Sequence, residues 1–279
     1  MVDPVARDVT IICKTFERPA SVAAFIASVR RFYPDLKIVV ADDSRAPTVQ
    51  ASPGVEIVRL PYDSGLAAGR NAALARVETP YFVVCDDDFV FCSQTRIERL
   101  LEIARTTRFR IVGGMLMDHR RGTGICRGRL QFAGTLNVEN GVFYHRKRRS
   151  RGMLDGLPHY DLIVNFFLAE CAAVGPEPWD GTFKIGHEHG DFFLSMRKKG
   201  VLITEAAEVW VEHYPNLPLG YAAQRQRSGD FEAYFFQKWG LKEVRVEGGP
   251  DFDFADKVRF GWPSKFAYAL RGMRPASGR

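Results

Sequence analysis

The stretch Tyr81-Phe82-Val83-Val84-Cys85-Asp86-Asp87-Asp88 is an apolar run that ends abruptly in three consecutive carboxylates. A run this short and apolar reads as a strand buried on both faces. Three like charges at its carboxyl end repel one another unless something cationic sits there. In an open α/β sheet that end is also where ligands bind. Hard oxygen donors suit Mg²⁺ or Mn²⁺, ions that commonly hold the phosphates of a nucleotide. The plainer alternative is a solvated acidic turn that caps the next helix.

Strand and helix patterns alternate on either side of this run. Residues 9–13, 37–41 and 55–60 read as strands, and residues 110–115 as another after the acidic triplet. Between them, Pro19 opens a helix with Val22, Phe25, Ile26, Val29 and Phe32 at helical spacing. A Gly-punctuated helix is expected over 64–77, and Ile97, Leu100, Leu101, Ile103 and Ala104 mark another. This alternation implies an α/β fold with a mostly parallel sheet covered on both faces. Residues 118–160, rich in Gly, Arg and His, read as an insertion of loops or short hairpins. Regular patterning returns at 162–168. A helix over about 191–199 is followed by strands at 201–204 and 208–212, and residues 220–239 are aromatic and helix-like.

The chain has 279 residues, 46% apolar and 26% charged, the balance of an ordinary globular protein. No stretch approaches the roughly 20 apolar residues of a bilayer span, and the N-terminus lacks a signal-peptide pattern. Five scattered cysteines show no metal-like spacing and suit a reducing cytoplasm. The net charge of +6 is concentrated in residues 146–151 and in the tail 257–279. Such runs are either solvated basic loops or contacts for phosphate-bearing partners.

Three strands end in polar residues that should meet along one sheet edge: Thr15 and Arg18, Asp42 and Asp43, and Asp86 to Asp88. Arg70 and Asn71 fall early on a helix preceded by Gly65 and Gly69, where a guanidinium can lie against a diphosphate. Taken singly, Asp42 and Asp43 read equally as turn caps and Arg70 as a surface ion pair. No Gly-rich lysine loop of the Walker type is present. A second polar cluster, His187-Glu188-His189-Gly190-Asp191, has histidines two apart that do not share a helix face, so it is a poor zinc pair. Its carboxylates either stabilise a helix N-terminus or accept a proton from a hydroxyl.

In order along residues 9–215, the chain resembles inverting glycosyltransferases of the GT-A type, family-2-like, and in particular the catalytic domains of ganglioside-type β-1,4-N-acetylgalactosaminyltransferases. The matching segments are residues 9–18 (VTIICKTFER), 31–44 (RFYPDLKIVVADDS), 69–71 (GRN), 86–99 (DDDFVFCSQTRIER), 111–114 (IVGG), 164–168 (VNFFL), 188–194 and 210–213.

The resemblance implies a GT-A catalytic domain over 1–215, with a nucleotide-binding half at 1–117, the insertion at 118–160 and an acceptor half at 161–215. A C-terminal helical extension and basic tail follow over 216–279. It implies a UDP-sugar donor bound by Thr15, Arg18, Asp42, Asp43, Arg70, Asn71, Asp86 and Asp87. Mn²⁺ or Mg²⁺ would sit on Asp88, Asp86 and His213, and the sugar and acceptor would be lined by Trp179, Asn165, Phe166 and His189. Asp191 is the expected general base and Glu188 its rival. Family members often carry an acid where this chain has Gly190.

The expected reaction is a single displacement that transfers a hexose, GalNAc or a related sugar, to a hydroxyl of a glycan or lipid-linked acceptor with a β-linkage. The expected setting is bacterial polysaccharide or glycolipid synthesis. The N-terminal membrane anchor of animal relatives is expected to be missing, and the basic tail to touch the inner face of a membrane. The other readings are a metal-dependent nucleotidyltransferase and a non-catalytic nucleic-acid or anion-binding protein. Nucleic acid is not expected, because the aromatics lie mainly in core-like runs.

Overall fold

The computed structural model describes residues 4–120, 123–216, 226–249 and 251–253. Its first half follows the alternation of the sequence. A short helix α1 (Pro4–Asp8) leads into β1 (Val9–Thr15), followed by α2 (Pro19–Phe32), β2 (Lys37–Asp42), β3 (Val55–Arg59), α3 (Leu66–Leu74) and β4 (Tyr81–Asp86). The two-residue strand β5 (Phe89–Val90), α4 (Ile97–Thr106) and β6 (Ile111–His119) come next. Strands β1, β2, β3 and β4 pair in parallel, with Thr15 beside Asp42 and Lys14 beside Asp86. That register lines up the polar ends of three strands along one edge.

Alternate residues of these strands feed two cores, as the pleat requires. Ile11, Cys13, Val83 and Cys85 pack with Val22, Phe25 and Val29 of α2 and Leu100 and Ile103 of α4. Ile12, Val39, Phe82 and Val84 face the other way, toward Ala67 and Ala73 of α3 and a second set of helices. A fully enclosed side chain such as Phe25 contributes roughly 2–3 kcal/mol of hydrophobic stabilisation.

The second half makes the sheet mixed rather than mostly parallel. After β7 (Cys126–Leu130), β8 (Gly134–Glu139), β9 (Val142–Lys147), β10 (Met153–Leu154) and β11 (Leu157–Pro158), strand β12 (Phe167–Glu170) enters between β6 and β4, antiparallel to both. The short helix α5 (Cys171–Val174) and α6 (Glu188–Lys198) precede β13 (Ile203–His213), which runs parallel to β6. The segments read as two strands at 201–204 and 208–212 are thus one strand, with a register shift between Glu205 and Trp210. From β7 the sheet order is β7-β6-β12-β4-β1-β2-β3, with β13 on β6 and β5 on β13.

The 118–160 segment contains the expected hairpins. β8 and β9 are joined by Asn140-Gly141, both at positive φ, a pair suited to a tight type I′ connection. What the sequence pattern did not suggest is the use made of the C-terminal part. A 3₁₀ turn (Gln226–Phe231) leads into α7 (Glu232–Trp239). β14 (Glu243–Glu247) then joins β9 in parallel, and β15 (Phe252–Asp253) pairs with β7. The basic tail 257–279 lies outside the described residues, as do residues 220–225 of the helix-like segment. No helix among the described residues is long and apolar enough to cross a membrane.

Candidate active site

The polar ends of β1 and β4 line a cleft of about 380 Å³, together with the start of α6 and the loop before it. Asp42 and Asp43 at the end of β2 are buried beside this cleft and do not line it. Its walls include Lys14, Arg18, Asp86, Asp88, Asn165, Lys184, His187, Glu188, His189 and His213. Apolar side chains, among them Phe16, Leu130, Phe132 and Val164, fill the remainder. The size and the mixture of apolar wall with a few convergent polar groups suit a small-molecule site.

The acidic triplet divides into three environments. Asp86 accepts a hydrogen bond from Arg70 Nη2 at 2.9 Å and keeps part of its carboxylate exposed on the cleft. Asp87 is wholly buried, accepting from Thr15 Oγ1 at 2.6 Å and from the Arg18 guanidinium. Burial pushes its carboxyl up, and the Arg18 charge and Thr15 hydroxyl pull against that. Asp88 lies 2.8 Å from Arg18 Nη1 and 3.7 Å from His213 Nε2. Burial opposes its charge, but His213 and Arg18 outweigh that and hold it below the ordinary carboxylate range.

His213 sits at the end of β13 with Nδ1 2.7 Å from Asp118 Oδ1. Burial works against its charge, yet Asp118 and Asp88 raise it to about 9. A carboxylate on Nδ1 leaves Nε2 turned toward Asp88, the arrangement that orients a metal-binding imidazole. Among the described residues no group of three or more His, Cys, Asp or Glu is arranged to hold a metal ion. Asp88 and His213 nevertheless form a two-donor set of suitable chemistry, and Mg²⁺ and Mn²⁺ commonly take their remaining ligands from phosphates and water. The donor set fits a divalent cation carried by a diphosphate.

The second strand end behaves differently in its two acids. Asp42 Oδ1 accepts from Ser44 N, and Oδ2 from the Thr48 N–H and hydroxyl and from Arg59. Both oxygens therefore hold the turn after β2, the role a turn aspartate plays by itself. Asp43 pairs with Lys14 Nζ at 2.7 Å and accepts from Gly65 N at 2.9 Å, tying β1, β2 and the start of α3 together. Lys14 reaches it because Gly69 lacks a side chain: a Cβ there would come within 2.5 Å of Lys14 Cγ.

The start of α6 holds a clear surprise. Asp191 does not line the cleft. Its Oδ1 accepts from the Trp239 indole N–H at 2.8 Å and lies 2.7 Å from Lys238 Nζ, both on α7. Burial raises its carboxyl above the usual range, against the pull of these two donors. Glu188, at the first position of α6, is the carboxylate that faces the cleft.

His189 lines the cleft beside it, with Nδ1 2.6 Å from Asn165 Oδ1, and burial together with the Arg70 charge lowers it to about 3. It is therefore neutral at physiological pH. Phe166 and Trp179 are buried behind the wall rather than on it. Asn71 holds Trp179 in place through both backbone groups, at 2.7 Å to its O and 3.2 Å from its N. Lys14 of β1 and Lys184 of the loop before α6 also line the cleft; a lone cation carries no local signal of what it will face.

This α/β sheet, with its acidic edge over the cleft, has the fold of the GT-A glycosyltransferases. Solved structures agree. GalNAc-T7 crystallised with UDP, GalNAc and Mn²⁺ matches 98% of this chain and 59% of its own, with a TM-score of 0.57 at 12% identity. S. aureus TarS matches 82% and 41%, with a TM-score of 0.51 at 13% identity. At these identities the likeness is one of fold.

The chain belongs to glycosyl transferase family 2, whose model matches residues 10–171. Similar proteins include β-1,4 N-acetylgalactosaminyltransferase 2 of Mus musculus, 33% identical over 213 residues, covering 75% of this chain and 40% of that protein. β-1,4 N-acetylgalactosaminyltransferase 1 of Homo sapiens is 35% identical over 238 residues, covering 81% and 42%. The chain thus spans about two fifths of the length of the curated relatives it matches.

Proposed function

We propose that this protein transfers a sugar from a UDP-sugar to a hydroxyl of a glycan or lipid-linked acceptor in one inverting displacement, with Glu188 as the general base. The observation that carries this reading is that Glu188 lines the same cleft as Asp86, Asp88 and His213. Family membership favours sugar transfer over nucleotidyl transfer or nucleic-acid binding. The names of the relatives favour GalNAc as the sugar. The nucleotide would rest on the 1–117 half and the acceptor on the 161–215 half, with the hairpins of 118–160 and α7 framing the acceptor side.

Asp88 and His213 would hold Mn²⁺ or Mg²⁺, with Asp86 beside them, and the ion would supply positive charge against the departing diphosphate. Arg18 bridges Asp87 and Asp88 and fixes both in place. Lys14 and Phe16, backed by the buried Asp43 that pairs with Lys14, form the part of the cleft suited to a uracil and its ribose. The Asn165–His189 pair offers fixed polar groups to the sugar. Glu188 removes the proton of the acceptor hydroxyl as that oxygen attacks the anomeric carbon opposite the leaving diphosphate, so an α-linked donor gives a β-linked product. No covalent intermediate on the protein is needed. Membrane contact, if made by residues 257–279, would bring a lipid-linked acceptor to this cleft.

The test is Glu188→Gln. UDP-sugar turnover should fall by about 10²- to 10⁴-fold, the usual contribution of a general base, while titration with UDP and Mn²⁺ gives unchanged binding. Turnover equal to that of the unaltered protein would overturn the assignment.

A further inference from the structure

Lys238 stands between two carboxylates that flank the segment lining the cleft without lining it themselves. Its Nζ lies 2.8 Å from Asp180 Oδ2 and 2.7 Å from Asp191 Oδ1. Asp180 precedes the stretch that brings Lys184, Ile185, Gly186 and His187 to the cleft, and Asp191 shares the first turn of α6 with Glu188, three residues before it. Two neighbours on α7 reinforce the bridge: Tyr234 donates its hydroxyl to Asp180 Oδ2 at 2.8 Å, and Trp239 donates its indole N–H to Asp191. Between them, the buried Phe235 ring stacks on His187 at 5.1 Å and meets Phe183 at 6.2 Å. No residue of α7 lines the cleft.

The clasp grips a residue held in a constrained backbone conformation. His187 has φ 61°, a left-handed conformation, and immediately precedes Glu188. Such a residue costs of the order of 1–3 kcal/mol and persists only where its surroundings hold it. The stacked ring and the Lys238 bridge are those surroundings.

We propose that Lys238 is a positioning residue for Glu188. Through Asp180 and Asp191 it locks the loop before α6 to the first turn of that helix, and Asp191 acts as the anchor of this clasp. The inference rests on the reading of Glu188 as the reacting carboxylate, but its physical content is a restraint on residues 184–190.

The experiment uses the full chain and two readouts. Hydrogen exchange in Lys238→Met should quicken at residues 184–190 and stay unchanged in β1 and β4. UDP release from UDP-N-acetylgalactosamine with Mn²⁺ should lose about ten- to a hundredfold in kcat, the scale of a small misplacement of reacting groups, with donor KM unaltered. Lys238→Arg, which keeps the charge, should restore most of the turnover. Trp239→Phe is the milder companion should Lys238→Met not fold, and is expected to show the same exchange pattern. Unchanged protection at 184–190 would overturn the proposal. So would full turnover in both variants alongside an inactive Asp191→Asn, since Asp191 would then act on substrate directly. Loss of the Glu188 assignment alone would appear instead as normal turnover in Glu188→Gln with the exchange pattern intact.

Discussion

Side chains of one type have been sorted by their neighbours into different tasks. Asp42 holds a turn, Asp43 cross-ties two strands and a helix, Asp87 underpins the triplet, and Asp88 faces His213. None of these fates is written in the residue type, because each depends on which donor the fold brings within reach. Glu205 shows the converse, a carboxyl given little compensation: its Oε2 is enclosed without a hydrogen-bond partner at the register shift of β13. Burial pushes it up to about 8, against a weaker pull from Arg129.

The sign of its effect follows from proton counting. Between the ordinary glutamate value of about 4.3 and about 8, the folded chain keeps a proton that the unfolded chain releases. Stability from this group is therefore full below that window and declines as pH rises through it. Glu205→Gln should raise the melting temperature at pH 8 and make little difference near pH 4. An equal gain at both values in thermal melts would show that burial of the charge is not the cause.

At the scale of elements, the local patterns were legible where packing is local. Pro19 with its apolar spacing gave α2, and the clustered leucines and isoleucines gave α4, because a helix declares its buried face within its own few turns. The run at 162–168 was less transparent. Only Phe167 and Leu168 of it join a ladder, in β12, while Val164 and Asn165 line the cleft and Phe166 backs them. Apolar composition alone cannot separate a paired strand from extended chain buried beside one.

Two glycines make the cost of an element junction testable. Gly65 has φ 98°, and a Cβ there would fall 2.5 Å from Lys184 Cα, whereas a Cβ at Gly181 would meet nothing within 4 Å. Gly65→Ala should cost about 1–3 kcal/mol in a urea titration and weaken UDP binding by displacing the 184–187 wall. Gly181→Ala should lie close to neutral. Equal effects would mean that the contact between α3 and the loop is not tight.

Over the whole molecule, the cleft is assembled from widely separated segments: β1, the end of β4, residues 164–165, the loop before α6 and the end of β13. Ligand that binds only this assembled state stabilises it by mass action. UDP and Mn²⁺ together should therefore raise the melting temperature more than the sum of either alone, as read by calorimetry of the full chain. Additive shifts would argue that the ion and the diphosphate do not share a site.

By itself the sequence determined the parallel half of the sheet, the helices that cover it and the acidic edge, because hydrophobic periodicity and the residues at strand ends are local properties. Only the tertiary structure decided that β12 lies antiparallel between β6 and β4, and that the C-terminal segment returns to pair with β9 and β7. It also decided which carboxylate of residues 188–191 faces the cleft. Glu188 and Asp191 occupy the same turn of one helix, and what separates them is the position of α7, placed by contacts nearly fifty residues further along the chain. Non-local contacts of that kind leave no periodic trace.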